Sequence, residues 1–366
     1  MIANKSISLT VFIYSVSHLF VDAASLVCYF TLLSDFCDDY WIQVIIFLSY
    51  GIIAFVTQSP LGLLADYLNR PVLISVVGCL LIAVTPFFME LPILVLLLVG
   101  IGNSLFHVGG GIITLSLAKG RATIPGFFVA PGTIGVMIGV FLGQEPIGTH
   151  LFFTVLLLIL ATIMLATGRP FWRITNINHV FCSDSKKTEI VVPIILIAVF
   201  LLFLTIIMRS LVSAILTSPD INKSSIDEIN ILLYGISVAI FAGKMSGGFL
   251  ADYLGWRYFL SVALCLSAIL FYVSTFCIWL IIPAVFLLNM TMPITVTAIS
   301  NLLPRFPGFA FGLATLGYLV GVYLAMVCNP VGDVIFIFDL LTTVLFFIGI
   351  SVYYANDDLK FNLTKC

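Results

Sequence analysis

Long apolar runs, each about the length of a bilayer crossing, alternate with short breaks of charge, glycine or proline along the whole chain. A hydrocarbon core of about 30 Å takes about 20 apolar residues in a helix. Twelve runs meet that requirement, at 8–33, 41–63, 72–89, 92–117, 124–143, 150–168, 190–216, 228–249, 258–277, 279–302, 308–328 and 334–355. The breaks are too short for a soluble domain. Because the first run is long, keeps polar residues and is followed by eleven more, it reads as a spanning helix rather than a cleaved signal peptide. The pattern predicts an all-α membrane protein with twelve transmembrane helices.

The pattern also repeats. Leu-Ala-Asp-Tyr-Leu occurs at 64–68 and again at 250–254, each copy two residues after a glycine, Gly62 or Gly248. The same offset of 186 residues pairs Asn103 with Asn289, Lys119 with Arg305, Gly126 with Gly312 and Gly135 with Gly321. Five consecutive identities that include an aspartate mark a duplication. Two pseudo-symmetric six-helix halves, 1–168 and 190–366, are therefore expected on either side of a cytoplasmic linker at 169–189, as a parallel repeat.

Composition strengthens the membrane reading. Of 366 residues, 61% are hydrophobic and 9% charged, and the mean hydropathy is +1.23, values that suit lipid contact rather than a water-facing surface. Placing the N-terminus in the cytoplasm puts Lys5, Arg70, Lys119, Arg121, Arg169, Arg173, Lys186, Lys187, Arg257, Arg305, Lys360 and Lys365 inside and only Lys223 in an external loop. The basic residues thus predict cytoplasmic termini. A net charge of −2 suggests no nucleic-acid partner. The eight cysteines show no metal spacing and no CxxC. Cys37, Cys277 and Cys328 near the outer face could pair or act as small apolar residues. Asn222-Lys-Ser224 is a sequon on an external loop.

The repeated motifs, Gly62-x-x-x-Asp66-x-x-x-Arg70 and Gly248-x-x-x-Asp252-x-x-Gly255-x-Arg257, resemble the loop signature of the major facilitator superfamily. Both carry a tyrosine, Tyr67 or Tyr253, where a basic residue is usual, and the first has Asn69 in place of glycine. An aspartate at a helix start is favoured by the helix dipole, and Asp66 with Lys119 or Arg121 is a candidate latch on one conformation; an ordinary N-cap is the alternative. The other latch residues on this reading are Gly62, Arg70, Gly248, Asp252 and Arg257. Within the superfamily, Ser17-His18-Leu19-Phe20-Val21-Asp22, Gly102-x-x-x-x-Phe106-His107, the glycine-rich fifth helix and Asn301-Leu302-Leu303-Pro304 resemble the fosmidomycin-resistance group of drug exporters. After His107 that group typically has Pro-Glu, whereas Val108-Gly109-Gly110-Gly111 follows here. The resemblance implies a multi-pass protein of the cell membrane, monomeric, exporting an antibiotic-like solute by proton antiport.

A charge at mid-membrane costs about 2.5–3.5 kcal/mol, so each one retained needs a reason. His18 and Asp22 are four residues apart on one helix face, and His107 has Asn103 one turn away on its own helix. The superfamily resemblance implies that helices one and four line the central cavity. Asp22, His18 and His107 are therefore read as a proton-coupling cluster, since a histidine beside a carboxylate titrates readily near neutrality; the bland alternative is a histidine bonded to a backbone carbonyl. Arg209 in helix seven stands at the depth of Asp22 and is a candidate for binding an anionic solute, unless it meets headgroups. Asn103, Asn289, Gln58 and Lys244 are further candidate substrate contacts; Lys244 could instead pair with Asp252 or reach the inner surface. Asp339 reads as structural. Gly132, Gly135, Gly139 and Gly143, after Pro131, form a small-residue stripe for close helix packing. Pro60, Pro131, Pro293 and Pro304 can kink or end helices.

The expected function is secondary active transport of a small organic solute, with protons as the drive and no cofactor or metal. No nucleotide signature and no catalytic constellation appear, so an enzyme is not expected. The rivals are a solute importer of the same fold and a non-transporting membrane receptor or scaffold.

Overall fold

The computed structural model describes residues 2–35, 40–143, 147–168, 173, 185–216, 226–328 and 335–364. Cys37, Arg169, Asn222, Lys223, Lys365 and residues 169–172 and 174–184 of the 169–189 linker lie outside the described residues, as do the side chains of Lys5, Lys186, Lys187, Cys328 and Lys360. Among the described residues, twelve helices are long and apolar enough to cross a membrane: α1 Ile7–Ser34, α2 Trp41–Leu68, α3 Pro71–Phe88, α4 Pro92–Ala118, α5 Thr123–Leu142, α6 Thr149–Thr167, α7 Val192–Leu216, α8 Ile231–Leu254, α9 Trp256–Val273, α10 Ile278–Leu302, α11 Pro307–Val327 and α12 Ile335–Asn356. The described residues contain no strand. Large apolar side chains such as Phe12, Ile45, Ile93, Phe152, Leu196 and Val262 stand exposed on these helices, a surface suited to lipid rather than water.

The helix ends differ from expectation where the repeated motif falls. Helices α2 and α8 run on to Leu68 and Leu254, not to 63 and 249, so Asp66 and Asp252 sit in the last turns of their helices rather than at the start of the next. Each helix then ends on a residue at positive φ, Asn69 at 50° followed by α3 and Gly255 at 93° followed by α9. The two positions are 186 apart. Asparagine tolerates the left-handed conformation best after glycine, which is why Asn69 can stand where its repeat has Gly255. Helix α2 also carries a π-helical turn at Ile52–Val56 just before Gln58, and α10 is interrupted at Met290 and Thr291, ahead of Pro293.

The chain forms two compact units. One comprises Met1–Lys119, Phe127–Thr175 and Phe306–Leu316; the other comprises Gly120–Gly126, Asn176–Arg305 and Gly317–Cys366. The short segments that begin α5 and α11 thus group with residues of the opposite sequence repeat, and they occupy equivalent positions under the 186-residue offset.

Within the first unit, the α5 stripe packs against α1. A side chain at Gly135 would collide with the carbonyl of Leu19, and a Cβ at Gly139 would stand 2.5 Å from Leu26 Cβ. In the second unit Gly321 of α11 meets the carbonyl of Ile207 on α7 in the same manner. Backbones this close exclude any side chain larger than hydrogen, the packing expected of small-residue stripes.

Candidate functional site

A cluster of buried polar groups lies in the first unit, where α1 meets α4 and α5. His18 and Asp22, one turn apart on α1, point the same way: His18 Nε2 is 3.2 Å from Asp22 Oδ2. His107 of α4 brings its Nε2 to 2.8 Å from His18 Nε2 and 3.5 Å from Asp22 Oδ1. Asn103, one turn before His107, donates its amide N–H to Asp22 Oδ1 at 3.1 Å and to Ser25 Oγ at 3.3 Å. All four residues are 9% exposed or less.

The outer nitrogens of the two imidazoles are fixed by main-chain carbonyls. His18 Nδ1 donates to Phe128 O at 2.6 Å, a carbonyl of α5 one turn before Gly132. His107 Nδ1 donates to Asn103 O at 2.9 Å. The backbone bond that was the bland alternative for a membrane histidine is therefore present, but it orients each ring so that both Nε2 atoms face Asp22. Gly132 closes the cluster from α5, for a Cβ there would stand 2.5 Å from both Asp22 Oδ2 and His18 Nε2. Phe128 lies over the His18 ring at 4.7 Å between centroids, and Phe311 lies 6.4 Å from His107.

Three potential ligand atoms, two imidazole nitrogens and a carboxylate oxygen, lie within 4.8 Å of one another, so a metal ion has to be weighed. Two nitrogens at about 2.0–2.1 Å from one tetrahedral ion stand about 3.3 Å apart. The observed 2.8 Å between Nε2 atoms is instead the length of an N–H bonded to a lone pair. The arrangement fits a proton better than a metal.

The repeat does not reproduce this cluster. Asn289, the counterpart of Asn103, turns its amide onto Val285 O of its own helix at 3.0 Å. The counterpart of Asp22 on α7 is Met208; the adjacent Arg209 is 4% exposed, and its Nη1 has no hydrogen-bond partner. Among the described residues no carboxylate lies within ion-pair distance of Arg209. Neighbouring Ser210 is 2% exposed, and its hydroxyl is likewise unpartnered. Gln58 is fully buried, with its amide N–H spent on Ala54 O, and Lys244 is half-buried.

The motif aspartates have different partners from those expected. Asp66 accepts the N–H groups of Gly308 at 2.8 Å and Phe309 at 2.9 Å, the first free amides of α11. Lys119 and Arg121 do not hold it; Lys119 ends α4 at positive φ. Asp252 accepts from Ala122 N at 3.0 Å, Thr123 N at 2.9 Å, Thr123 Oγ1 at 2.6 Å and Trp256 Nε1 at 2.9 Å. Each carboxylate thus caps a helix, but not its own: the last turn of one helix feeds the positive N-terminus of another. Gly62 and Gly248 allow the approach, since a side chain at either would strike the carbonyl of Gly308 or Ala122. Arg257 lies over the rings of Phe347 at 4.8 Å and Tyr258 at 5.3 Å, and Arg70 precedes the first residue of α3.

Sequence reasoning missed His150 on α6, 4% exposed, whose Nε2 is 3.1 Å from Thr31 Oγ1 and which lines a small internal cavity with Ala24, Cys28 and Thr154. A lone histidine near a helix start gave no spacing to read. Asp339 is fully buried on α12 and has no part in the cluster.

The architecture is the major facilitator fold, and the chain is a multi-pass membrane protein of that architecture. Among solved structures it is similar to the Escherichia coli fucose:proton symporter, with a TM-score of 0.65 at 15% identity over 95% of this chain and 99% of that one. A second structure of that transporter, in the outward conformation, gives 0.57 at 15% identity over 93% and 99%. A bacterial homologue of the iron transporter ferroportin, in an outward-facing state, gives 0.57 at 12% identity over 95% and 99%. No protein-family profile and no curated protein sequence matches the chain.

Proposed function

We propose that the chain is a proton-coupled secondary transporter of a small organic solute, anionic or drug-like, which it exports by alternating access. The observation that carries this reading is the buried His18–Asp22–His107 cluster. A carboxylate and two imidazoles in an apolar helix bundle are costly to retain, and a packed structural core has no use for three titratable groups in one place. Arg209 supports the anionic solute: a planar fork of donors with no carboxylate partner suits a carboxylate, phosphate or phosphonate. The paired helix caps at Asp66 and Asp252 serve, on this reading, to hold one conformational state, and transport requires that they part. The resemblance of the motifs to drug exporters favours the outward direction.

A second reading, proton-driven import, is favoured by the likeness to a fucose:proton symporter. A receptor or scaffold would leave the cluster without a purpose. The test is reconstitution into liposomes with an imposed pH gradient, using ligands found by a thermal-shift screen of charged and neutral metabolites. Solute-dependent proton flux is expected, with solute leaving against its gradient as protons enter. Co-directional movement would replace export by import, and solute binding without any proton flux would leave the receptor reading in its place.

A further inference from the structure

The hydrogen-bond geometry at His18 and His107 fixes more than the presence of titratable groups. A carbonyl oxygen can only accept, so His18 Nδ1, 2.6 Å from Phe128 O, and His107 Nδ1, 2.9 Å from Asn103 O, must both carry hydrogen. A neutral imidazole has one N–H. Both Nε2 atoms would then be bare lone pairs, 2.8 Å apart, with Asp22 oxygens 3.2 and 3.5 Å away. Three acceptors would face one another with no donor among them.

We infer that the cluster holds one proton beyond the neutral tautomers, shared between His18 Nε2 and His107 Nε2, with Asp22 as its counter-charge. A proton on the Asp22 carboxyl instead would satisfy its contact with His18 and leave the two Nε2 lone pairs in collision. A proton on either Nε2 makes that ring an imidazolium which donates to the other ring and attracts both carboxylate oxygens. The charge then sums to zero within a few ångströms, the arrangement that a low-dielectric site tolerates best. Asn103 contributes the remaining donor to Asp22 Oδ1. Of the other elements around it, α2 presents Tyr50, whose hydroxyl bonds the Ser25 side chain and feels the Asp22 charge, α5 presents Gly132 and Phe128, and α11 presents Phe311. The proton comes from water and returns to it. Its departure leaves Asp22 ionised against two bare nitrogens, so release requires the Nε2 atoms to separate. Occupancy and side-chain packing are thereby tied together.

The inference rests on the proposed transport function only for its use, and its test needs no transport. The chain has four histidines; replacing His150→Gln and His179→Gln leaves the pair alone for nitrogen-15 NMR of histidine-labelled full-length protein in nanodiscs. At about pH 7 the expected result is three N–H protons on four ring nitrogens and a scalar coupling between the two Nε2 nuclei across the shared hydrogen. Two or four N–H protons, or a stoichiometric metal by elemental analysis of the wild-type chain, would overturn it. Adding Asp22→Asn should lower the midpoint for loss of the third proton by about 1–3 pH units, and an unmoved midpoint removes Asp22 as counter-charge. If the double variant fails to fold, the same count is made on wild type with all four rings, where the Nε2 to Nε2 coupling identifies the pair and its absence is decisive. A shared proton in a protein that shows no solute-linked flux would sink the transport reading and leave this one intact.

Discussion

Asp66 and Asp252, 186 residues apart, do the same work with unequal means: each caps the start of a helix from the other repeat, Asp66 through two amide donors and Asp252 through two amides and the Thr123 hydroxyl, with the Trp256 indole of its own repeat as a fourth donor. The duplication preserved the geometry and enriched one copy.

Replacing Asp66→Asn keeps the shape and removes the charge that the α11 N-terminus favours by about 0.3–1 kcal/mol. The balance of conformational states should shift about two- to fivefold, with folding unchanged. Accessibility of single cysteines placed along the cavity, together with the transport rate, measures the shift. Asp252→Asn should shift it further. Wild-type accessibility and rate in both variants would end the latch reading.

Asp22→Asn deletes the counter-charge at constant size. Gradient-driven transport should fall at least tenfold while solute exchange at equal pH survives. Uphill transport at the wild-type rate would exclude Asp22 from coupling.

Gly132→Ala places a methyl carbon 2.5 Å from both Asp22 Oδ2 and His18 Nε2. The overpacking should cost about 1–3 kcal/mol, read as a lowered melting temperature and a loss of proton flux. Gly235→Ala meets only the terminal Cδ1 of Ile282 at 2.8 Å, a flexible end that can turn aside, and serves as the tolerated control. Equal behaviour of the two variants would contradict the contact.

Arg209→Lys and Arg209→Ala should both weaken binding of an anionic ligand at least tenfold, because lysine cannot reproduce the two-pronged donor geometry. Isothermal titration with wild-type expression levels decides. Retained affinity in Arg209→Ala, or a screen that yields only cations and neutral compounds, removes the anion site.

A tag attached at Cys366 should react with an impermeant reagent only after the membrane is opened, as the basic residues predict. Labelling in intact cells would invert the orientation.

Much of this was legible in the residues alone. Apolar runs of bilayer length and a duplicated pentapeptide led to the fold, and the four-residue spacings of His18 with Asp22 and of Asn103 with His107 put each pair on one helix face. That the two pairs meet is tertiary information, which the motif resemblance supplied. What stayed hidden involved the main chain. The partners of Asp66 are amide N–H groups, which every non-proline residue carries, so the sequence pointed instead to the nearest basic side chains, Lys119 and Arg121. Gly132 illustrates the same limit: spacing assigned it to a packing stripe, whereas its nearest neighbours are Asp22 Oδ2 and His18 Nε2.

The clasp at Asp66 has a genetic consequence. Both of its donors are main-chain groups, so proline at position 308 or 309 would delete one, and a Cβ at Gly308 would stand 2.7 Å from Gly62 O and 2.9 Å from Asp66 Oδ1. Drift at position 309 short of proline therefore keeps its donor, whereas drift at position 308 or 66 disturbs the contact. Compensating changes for an Asp66 variant should consequently be sought outside α11, among residues that destabilise the opposing conformation.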